Sequence, residues 1–330
     1  MRVLAAVDKF RGTATAQQVA AAVGHACWEM GHDCVEQPIA DGGEGTLEIL
    51  GGSNRITRVT NPLGAPVDTP WRFHRQIAVI EMARASGLSL VGGASHNDVI
   101  AASTIGTGQI IDTALNLDAK RIIVCLGGSA TVDGGLGAIR AIGSPARLRS
   151  IEFLVACDVR TRFTDAARLF GAQKGATPLQ IEFLTARLNS LRQTYLRNHG
   201  IDVQNIEGSG SAGGLAGGLA ALGATLVPGF DLVADEVGLH ELVANADIVI
   251  TGEGFMDEET FQGKAVGGVN EIALEFGKPV IAICGDIHEA ARSQMESVSL
   301  VESFGEELAF SQPLHCIEQA AKQIMMRFAI

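Results

Sequence analysis

Aromatic side chains are scarce in this chain: 5% of 330 residues, with one tyrosine and two tryptophans. So few rings argue against a stacking platform for single-stranded nucleic acid. Clustered positive charge is missing too. The 25 basic residues are outnumbered by 37 acidic ones, giving a net charge of −12. No Lys/Arg cluster supplies the basic face that a phosphate-backbone binder needs. A local positive site for a small anion is still compatible with that balance. No C-x-x-C occurs among the cysteines at 27, 34, 125, 157, 284 and 316. Cys125, Cys157 and Cys284 lie in or beside apolar runs, where cysteine acts as a small hydrophobe. That usage fits a reducing cytoplasm, and Asp8 and Lys9 bring charge too early for a secretory h-region.

Several familiar motifs are also missing. There is no G-x-x-x-x-G-K-[ST], which excludes a P-loop kinase, and neither H-E-x-x-H nor G-x-S-x-G. The eight histidines are scattered, and His25, His32, His199 and His240, on helices or turns, read as surface residues. A G-x-G-x-x-G is present at Gly208, Gly210 and Gly213, but it follows no strand. Its acidic partner at the right distance, Asp231, lies in a Pro228-Gly229 turn. Close backbone packing or a substrate loop is the better reading of that motif than dinucleotide binding. The uncharged run from Ser209 to Phe230 is long enough to span a membrane. It is mostly Gly and Ala and is broken by Pro228, so it reads as a buried small-residue helix.

What the chain does have is glycine. Forty residues are glycine, well above the usual ~7%, without the Gly-X-Y period of collagen. With 47% apolar and 19% charged residues the chain can bury a sizeable core, and its length suggests about two domains. An apolar run at 2–7 and strand patterns at 33–41 and 56–61 alternate with helical patterns at 14–30 and 46–50, which implies a parallel, doubly wound sheet. Residues 66–73 and 76–82 then read as a hairpin. Strands follow at 121–126 and 152–158, and helices at 103–117, 134–142, 178–199 and 211–223. Three late strands at 247–252, 279–285 and 297–303, with helices at 264–276 and 315–328, resemble the opening ones. The expectation is an α/β protein of two α/β domains. A Rossmann-like parallel sheet domain (1–62 and 240–330) carries a second, mixed-sheet domain (63–239) inserted into it.

Four loops share one design: a buried strand, a carboxylate or hydroxyl at its end, glycines, then a helix. They are VDKFRGTAT (7–15), ADGGEGT (40–46), LGGSATVDGGLG (126–137) and TGEGFMDEETFQGK (251–264). Glycines let backbone N–H groups face an anion, and a helix start adds positive dipole. Carboxylates at strand ends can hold Mg²⁺ or accept a proton from a hydroxyl. Any one such loop can be a plain helix cap; four together point to phosphate handling.

Together with NPLG (61–64), EMARASGL (81–88), STIGTGQII (103–111), ACDV (156–159), FGAQKGAT (170–177) and GSAGGLAGGL (210–219), these loops resemble the type 1 glycerate kinase family. The matches keep their order from residue 3 to about residue 286. The resemblance implies ATP-dependent phosphorylation of D-glycerate at the 2-hydroxyl, and a site in the cleft between two α/β domains. It implies ATP and Mg²⁺ as cofactors, small molecules rather than nucleic acid or membrane as partners, and a cytoplasmic protein for which a homodimer is admissible. On that basis Asp8, Asp41 and Lys264 are the candidate catalytic residues. Lys9, Arg11, Gly42, Gly43, Gly127, Gly128, Ser129, Thr131, Asp133, Lys174 and Gly213 are candidates for substrate or phosphate binding, and Asp41, Glu253 and Asp257 for the metal. The chain departs from the family pattern at several points. Asp8-Lys9-Phe10-Arg11-Gly12 replaces D-S-F-K-G, Val132 replaces an asparagine, and Arg160-Thr161-Arg162-Phe163 replaces D-N-P-L. The stretch between Gly143 and Ile151 and the C-terminal end are shortened. The two arginines make a related hydroxy acid the rival substrate, and the change at position 11 makes a binder without chemistry the other rival.

Overall fold

The computed structural model describes residues 1–328. Its strands are β1 (Arg2–Val7), β2 (Asp33–Pro38), β3 (Arg55–Thr60), β4 (Pro66–His74), β5 (Ile77–Glu81), β6 (Arg121–Cys125), β7 (Glu152–Cys157), β8 (Thr225–Pro228), β9 (Ile248–Met256), β10 (Val280–Ile287) and β11 (Ser297–Ser299). The chain divides into two compact units. One is Met1–Asp41 with the chain from Gly229 onward; the other is Gly42–Pro228.

The first unit is a five-stranded, all-parallel sheet in the order β11-β10-β9-β1-β2. Every residue of β1 after Arg2 is buried, as a strand covered on both faces requires. Its side chains alternate between two cores. Val3, Ala5 and Val7 face helices Ala16–Glu29 and Pro313–Phe328. Leu4 and Ala6 face the helices at Gly229–Val237, Leu239–Ala244 and Ala265–Glu275. Helix Ala16–Glu29 starts at a capping box, with Thr15 and Gln18 satisfying each other's backbone N–H groups. Past its C-cap the chain turns through Gly31 at φ +71°.

The second unit is a six-stranded mixed sheet, β3-β4-β5-β6-β7-β8, antiparallel from β3 to β5 and parallel from β5 to β8. Ile80, Ile122, Val124 and Val155 meet Ile110, Ile111 and Leu115 of helix Ile105–Asn116 in one core. A second core gathers Val132, Phe163, Leu184, Leu188 and Tyr195 along helix Pro178–His199. The small-residue segment Ser211–Ala221 is buried at every position except Ala212; Ala212, Gly213 and Gly214 take φ of +51°, +66° and +89°, so the expected helix is broken there and runs regularly only from Leu215. Its glycines are there for contact: a Cβ on Gly217 would lie 2.4 Å from the Phe163 ring, and one on Gly218 2.6 Å from the Gly134 carbonyl. Among the described residues no helix is long and apolar enough to cross a membrane.

The structure corrects three further sequence expectations. Segment 56–61 does not extend the first parallel sheet; as β3 it pairs antiparallel with β4 in the second. The cause is the turn that follows. Asn61 Oδ1 accepts the N–H groups of Leu63 and Ala65, and Gly64 takes φ +94°, which folds the chain back on itself. With β3 in the second sheet the first changeover moves from 62/63 to 41/42, and the second lies at 228/229 rather than 239/240, where helices Gly229–Val237 and Leu239–Ala244 pack on the first unit's sheet. The strand expected over 297–303 ends at Ser299, whose side chain caps a helix at Leu300–Phe304. Finally, β9 continues to Met256, so the first six residues of the expected glycine loop at 251–264 are strand.

Candidate active site

In the first unit, β1 is followed by a strand laid on one side of it, while β9, β10 and β11 build out on the other. The β1/β9 boundary is the topological switch point of this sheet, the place where open α/β sheets bind ligands. A cavity of about 590 Å³ lies there. Its polar lining includes Asp8, Lys9, Arg11, Asp41, Glu253 and Lys264, all expected from sequence. The Asp8 N–H donates to the Gly252 carbonyl at 2.9 Å, fixing the carboxylate at the strand end. Glycine is required alongside: a Cβ on Gly252 would sit 2.1 Å from the Ile283 carbonyl oxygen.

The electrostatics of this cavity are those of crowded, buried carboxylates. Burial raises Asp8 to about 6; Lys9 opposes the shift and Asp41 adds to it. The Lys9 N–H donates to Asp8 Oδ1 at 2.6 Å, and its ammonium lies 3.6 Å away. Burial likewise raises Glu253 to about 7, against a hydrogen bond from Thr260 Oγ1 at 2.7 Å and with help from Asp8. Asp257 caps the turn at Glu258–Phe261, accepting from the N–H groups of Glu259 and Thr260. Lys264 is held by Glu259 at 3.0 Å. Asp286, at the end of β10, also lines the cavity. Its Oδ1 accepts from Ile287 N–H and Ser299 Oγ. Its signal in the sequence is the one that marked Asp8, a carboxylate closing a buried apolar strand.

The second unit has its own cavity, about 340 Å³, lined by Gly127, Gly128, Ser129, Asp158, Lys174 and Ser211 among others. Lys174 is 3% exposed. Its Nζ donates to Ser129 Oγ at 2.6 Å and to the Thr131 carbonyl at 2.9 Å. Burial lowers it to about 7, with Asp133 opposing. A cation kept out of water with only neutral oxygens bonded to it is poised for an anion. Asn97 Nδ2 ties the two loops together, donating to the carbonyls of Ala130 and Lys174 at 2.9 Å each.

Other expected residues serve these loops from behind. Asp133 Oδ2 accepts from Thr104 N–H and Oγ1 and from Gly137 N–H, and Oδ1 from Gly135 N–H. Gly213 lies against the same loop, where a Cβ would be 1.9 Å from the Thr131 carbonyl. Gly43 backs onto Gly127, at 3.4 Å from a Cβ placed there. The loop from Gly42 to Glu44 leads into N–H groups of Gly45 and Leu47 that both donate to Glu81 Oε1 at 2.8 Å. Glu81 is buried and paired with Arg84 at 2.7 Å. It is an organising carboxylate that local pattern could not single out, because the N–H groups it holds lie 34 and 36 residues away. Arg160 and Arg162, the pair that raised a shifted substrate, line neither cavity. Arg160 is 87% exposed and paired with Glu207, and Arg162 bonds to the Gln204 carbonyl. Among the described residues the one group of three donors close enough for a shared ion is His25, Glu29 and Glu318. There Lys322 already pairs with both glutamates.

Comparison with known proteins identifies the family. The pattern of the glycerate kinase family matches residues 3–146 and 144–329, two stretches that meet where the sequence is shortened. The glycerate kinase of Halalkalibacterium halodurans is 36% identical over 98% of this chain and 97% of its own. The glycerate 2-kinase of Escherichia coli K12 is 34% identical over 94% and 90%. A crystal structure of a candidate glycerate kinase 2 from Salmonella typhimurium LT2 superposes with a TM-score of 0.84 at 33% identity, covering 99% of this chain and 98% of that one. On its loops, its sheets and these alignments, the chain belongs to the glycerate kinase family.

Proposed function

We propose that the protein transfers the γ-phosphoryl group of ATP to the 2-hydroxyl of D-glycerate, giving 2-phosphoglycerate and ADP. The observation that carries this reading is Asp8: a buried carboxylate, raised to about 6, at the switch point of a parallel sheet beside Lys9 and Arg11. Phosphoryl transfer asks mainly for positioning and charge neutralisation. Asp8 takes the proton from the glycerate 2-hydroxyl as that oxygen bonds to phosphorus and the bond to the ADP oxygen breaks. Lys9, Arg11 and Lys264 neutralise anionic oxygens at this cavity. In the second unit, Lys174 does the same with the Gly127–Ser129 loop, and Asp133 keeps that loop in shape.

The donors also suit Mg²⁺. It takes oxygen ligands, commonly one or two carboxylates with substrate phosphates and water completing the shell. Asp41 and Glu253 line one cavity and would hold it, while Asp257, engaged with two backbone N–H groups, supports the turn behind them. The ion would supply charge neutralisation for the phosphates. The name of the Escherichia coli relative, glycerate 2-kinase, supports the regiochemistry. The test is incubation with ATP, Mg²⁺ and D-glycerate, followed by phosphorus NMR of the product. The 2-phosphate is expected; 3-phosphoglycerate overturns the regiochemistry, and absence of ADP release overturns the activity.

A further inference from the structure

The cavity of the first unit is larger and less uniformly polar than a three-carbon hydroxy acid requires. Its volume, about 590 Å³, falls in the range of about 300–1,000 Å³ that suits ligands of drug size. Its lining is divided by character. The charged groups Asp8, Lys9, Arg11, Asp41, Glu253 and Lys264 come from the ends of β1 and β2 and the β9 region. An apolar stretch comes from elsewhere: Phe255 near the end of β9, Val301 on helix Leu300–Phe304, and Ala309 and Phe310 on helix Glu306–Ser311. Single exposed apolar side chains are ordinary. Here two phenylalanines, 51% and 61% exposed, line one cavity together with Val301 and Ala309, while the buried Phe10 borders it from the β1 loop. Asp286 and Glu306 line it too and offer acceptors for N–H or O–H donors.

We propose that Phe255 and Phe310 form the base-binding wall of a nucleotide site, stacking a purine while the nucleotide's phosphates reach Lys9, Arg11 and Lys264. The assignment rests on the ATP-dependent reading above and extends it by fixing which cavity takes the nucleotide. A hydroxy acid has no flat apolar face to cover these rings, whereas a nucleoside triphosphate has one apolar end and one polyanionic end, the same division as the lining. Aromatic stacking on a base is worth enough that losing one ring weakens binding by roughly 5- to 100-fold.

The test uses the full chain and two probes, ADP and inorganic tripolyphosphate, titrated calorimetrically in the presence of Mg²⁺ but without glycerate. Phe310→Ala and Phe255→Ala should each weaken ADP by roughly 5- to 100-fold and leave tripolyphosphate unchanged. Phe310→Trp should restore ADP affinity. Both rings are solvent-exposed, so truncation leaves the core intact, which circular dichroism checks. ADP affinity unchanged in both alanine variants overturns the proposal. So does a loss confined to the KM for D-glycerate, or a parent chain that binds no ADP. A chain that binds ADP through these rings yet transfers nothing to glycerate supports the wall and refutes only the acceptor assigned above.

Discussion

Replacing Lys174 by methionine separates what this residue costs the fold from what it gives the site. Methionine keeps the apolar stem and deletes the ammonium. The lysine is 3% exposed and burial lowers it from 10.5 to about 7. At about 1.4 kcal/mol per decade, that shift corresponds to an upper bound of about 5 kcal/mol of destabilisation when the group is charged in both states. The bonds to Ser129 Oγ and the Thr131 carbonyl are lost in the variant, returning about 1–3 kcal/mol each. A net gain of about 1 kcal/mol at pH 6 is therefore expected. The sign follows from the direction of the shift. Below pH 7 the lysine is protonated folded and unfolded, and the wild type bears the full cost. Between 7 and 10.5 only the folded form sheds its proton, so the cost shrinks and is gone above 10.5. The advantage of the variant should accordingly narrow, then reverse, between pH 6 and pH 9. Urea midpoints at the two pH values measure it. Turnover, followed by ADP release, should fall at least about 100-fold, as for loss of a charge-stabilising donor. A variant that keeps its turnover, or whose stability relative to wild type does not change with pH, would refute the reasoning.

Three other substitutions test separate parts of the structure. Asp8→Asn should lower kcat by roughly 10²–10⁴-fold with an unchanged circular dichroism spectrum, and near-normal turnover would remove Asp8 from the chemistry. Gly217→Ala pits helix propensity against packing. Propensity alone gains up to about 1 kcal/mol, but the new methyl would lie 2.4 Å from the Phe163 ring, so a loss of about 1–3 kcal/mol in urea unfolding is expected. The two-residue turn between β4 and β5 holds Arg75 and Gln76 at φ +48° and +63°, a geometry favouring Asn-Gly. The double change Arg75→Asn, Gln76→Gly should raise stability by about 1–2 kcal/mol, and a fall in the urea midpoint would show that these side chains hold the hairpin by other means.

Where the signal is local, sequence and structure agree closely. Five apolar residues, Val3–Val7, ending at Asp8 make a buried strand, and Thr15 with Gln18 starts the helix that follows. Thr177, Pro178 and Gly200 bound the helix between them. Glycines after strand ends marked loops that line both cavities, and the family resemblance picked out Asp8, Lys9, Arg11, Asp41, Glu253, Lys264, Gly127, Gly128, Ser129 and Lys174 among their lining. Periodicity, caps and turn residues act over a few positions, so they can be read along the chain.

Pairing, burial and charge coupling were decided by the tertiary structure. The pattern at 56–61 is that of a strand in any sheet; the reversal at Asn61–Gly64 gave it to β4. Apart from the family resemblance, nothing along the chain distinguishes Lys174 from a surface lysine until loops 43 or more residues away close over it through Asn97, Ser129 and Thr131. Glu81 likewise gains its meaning from N–H groups distant in sequence, and Asp8 helps raise Glu253 from 245 residues away. A strand's hydrogen-bonding edge accepts any partner that topology brings to it. A side chain's charge is priced by the water that distant segments remove. Residue type and spacing therefore determined which groups could do chemistry in this protein, and only the folded chain decided which of them were buried, paired and placed to do it.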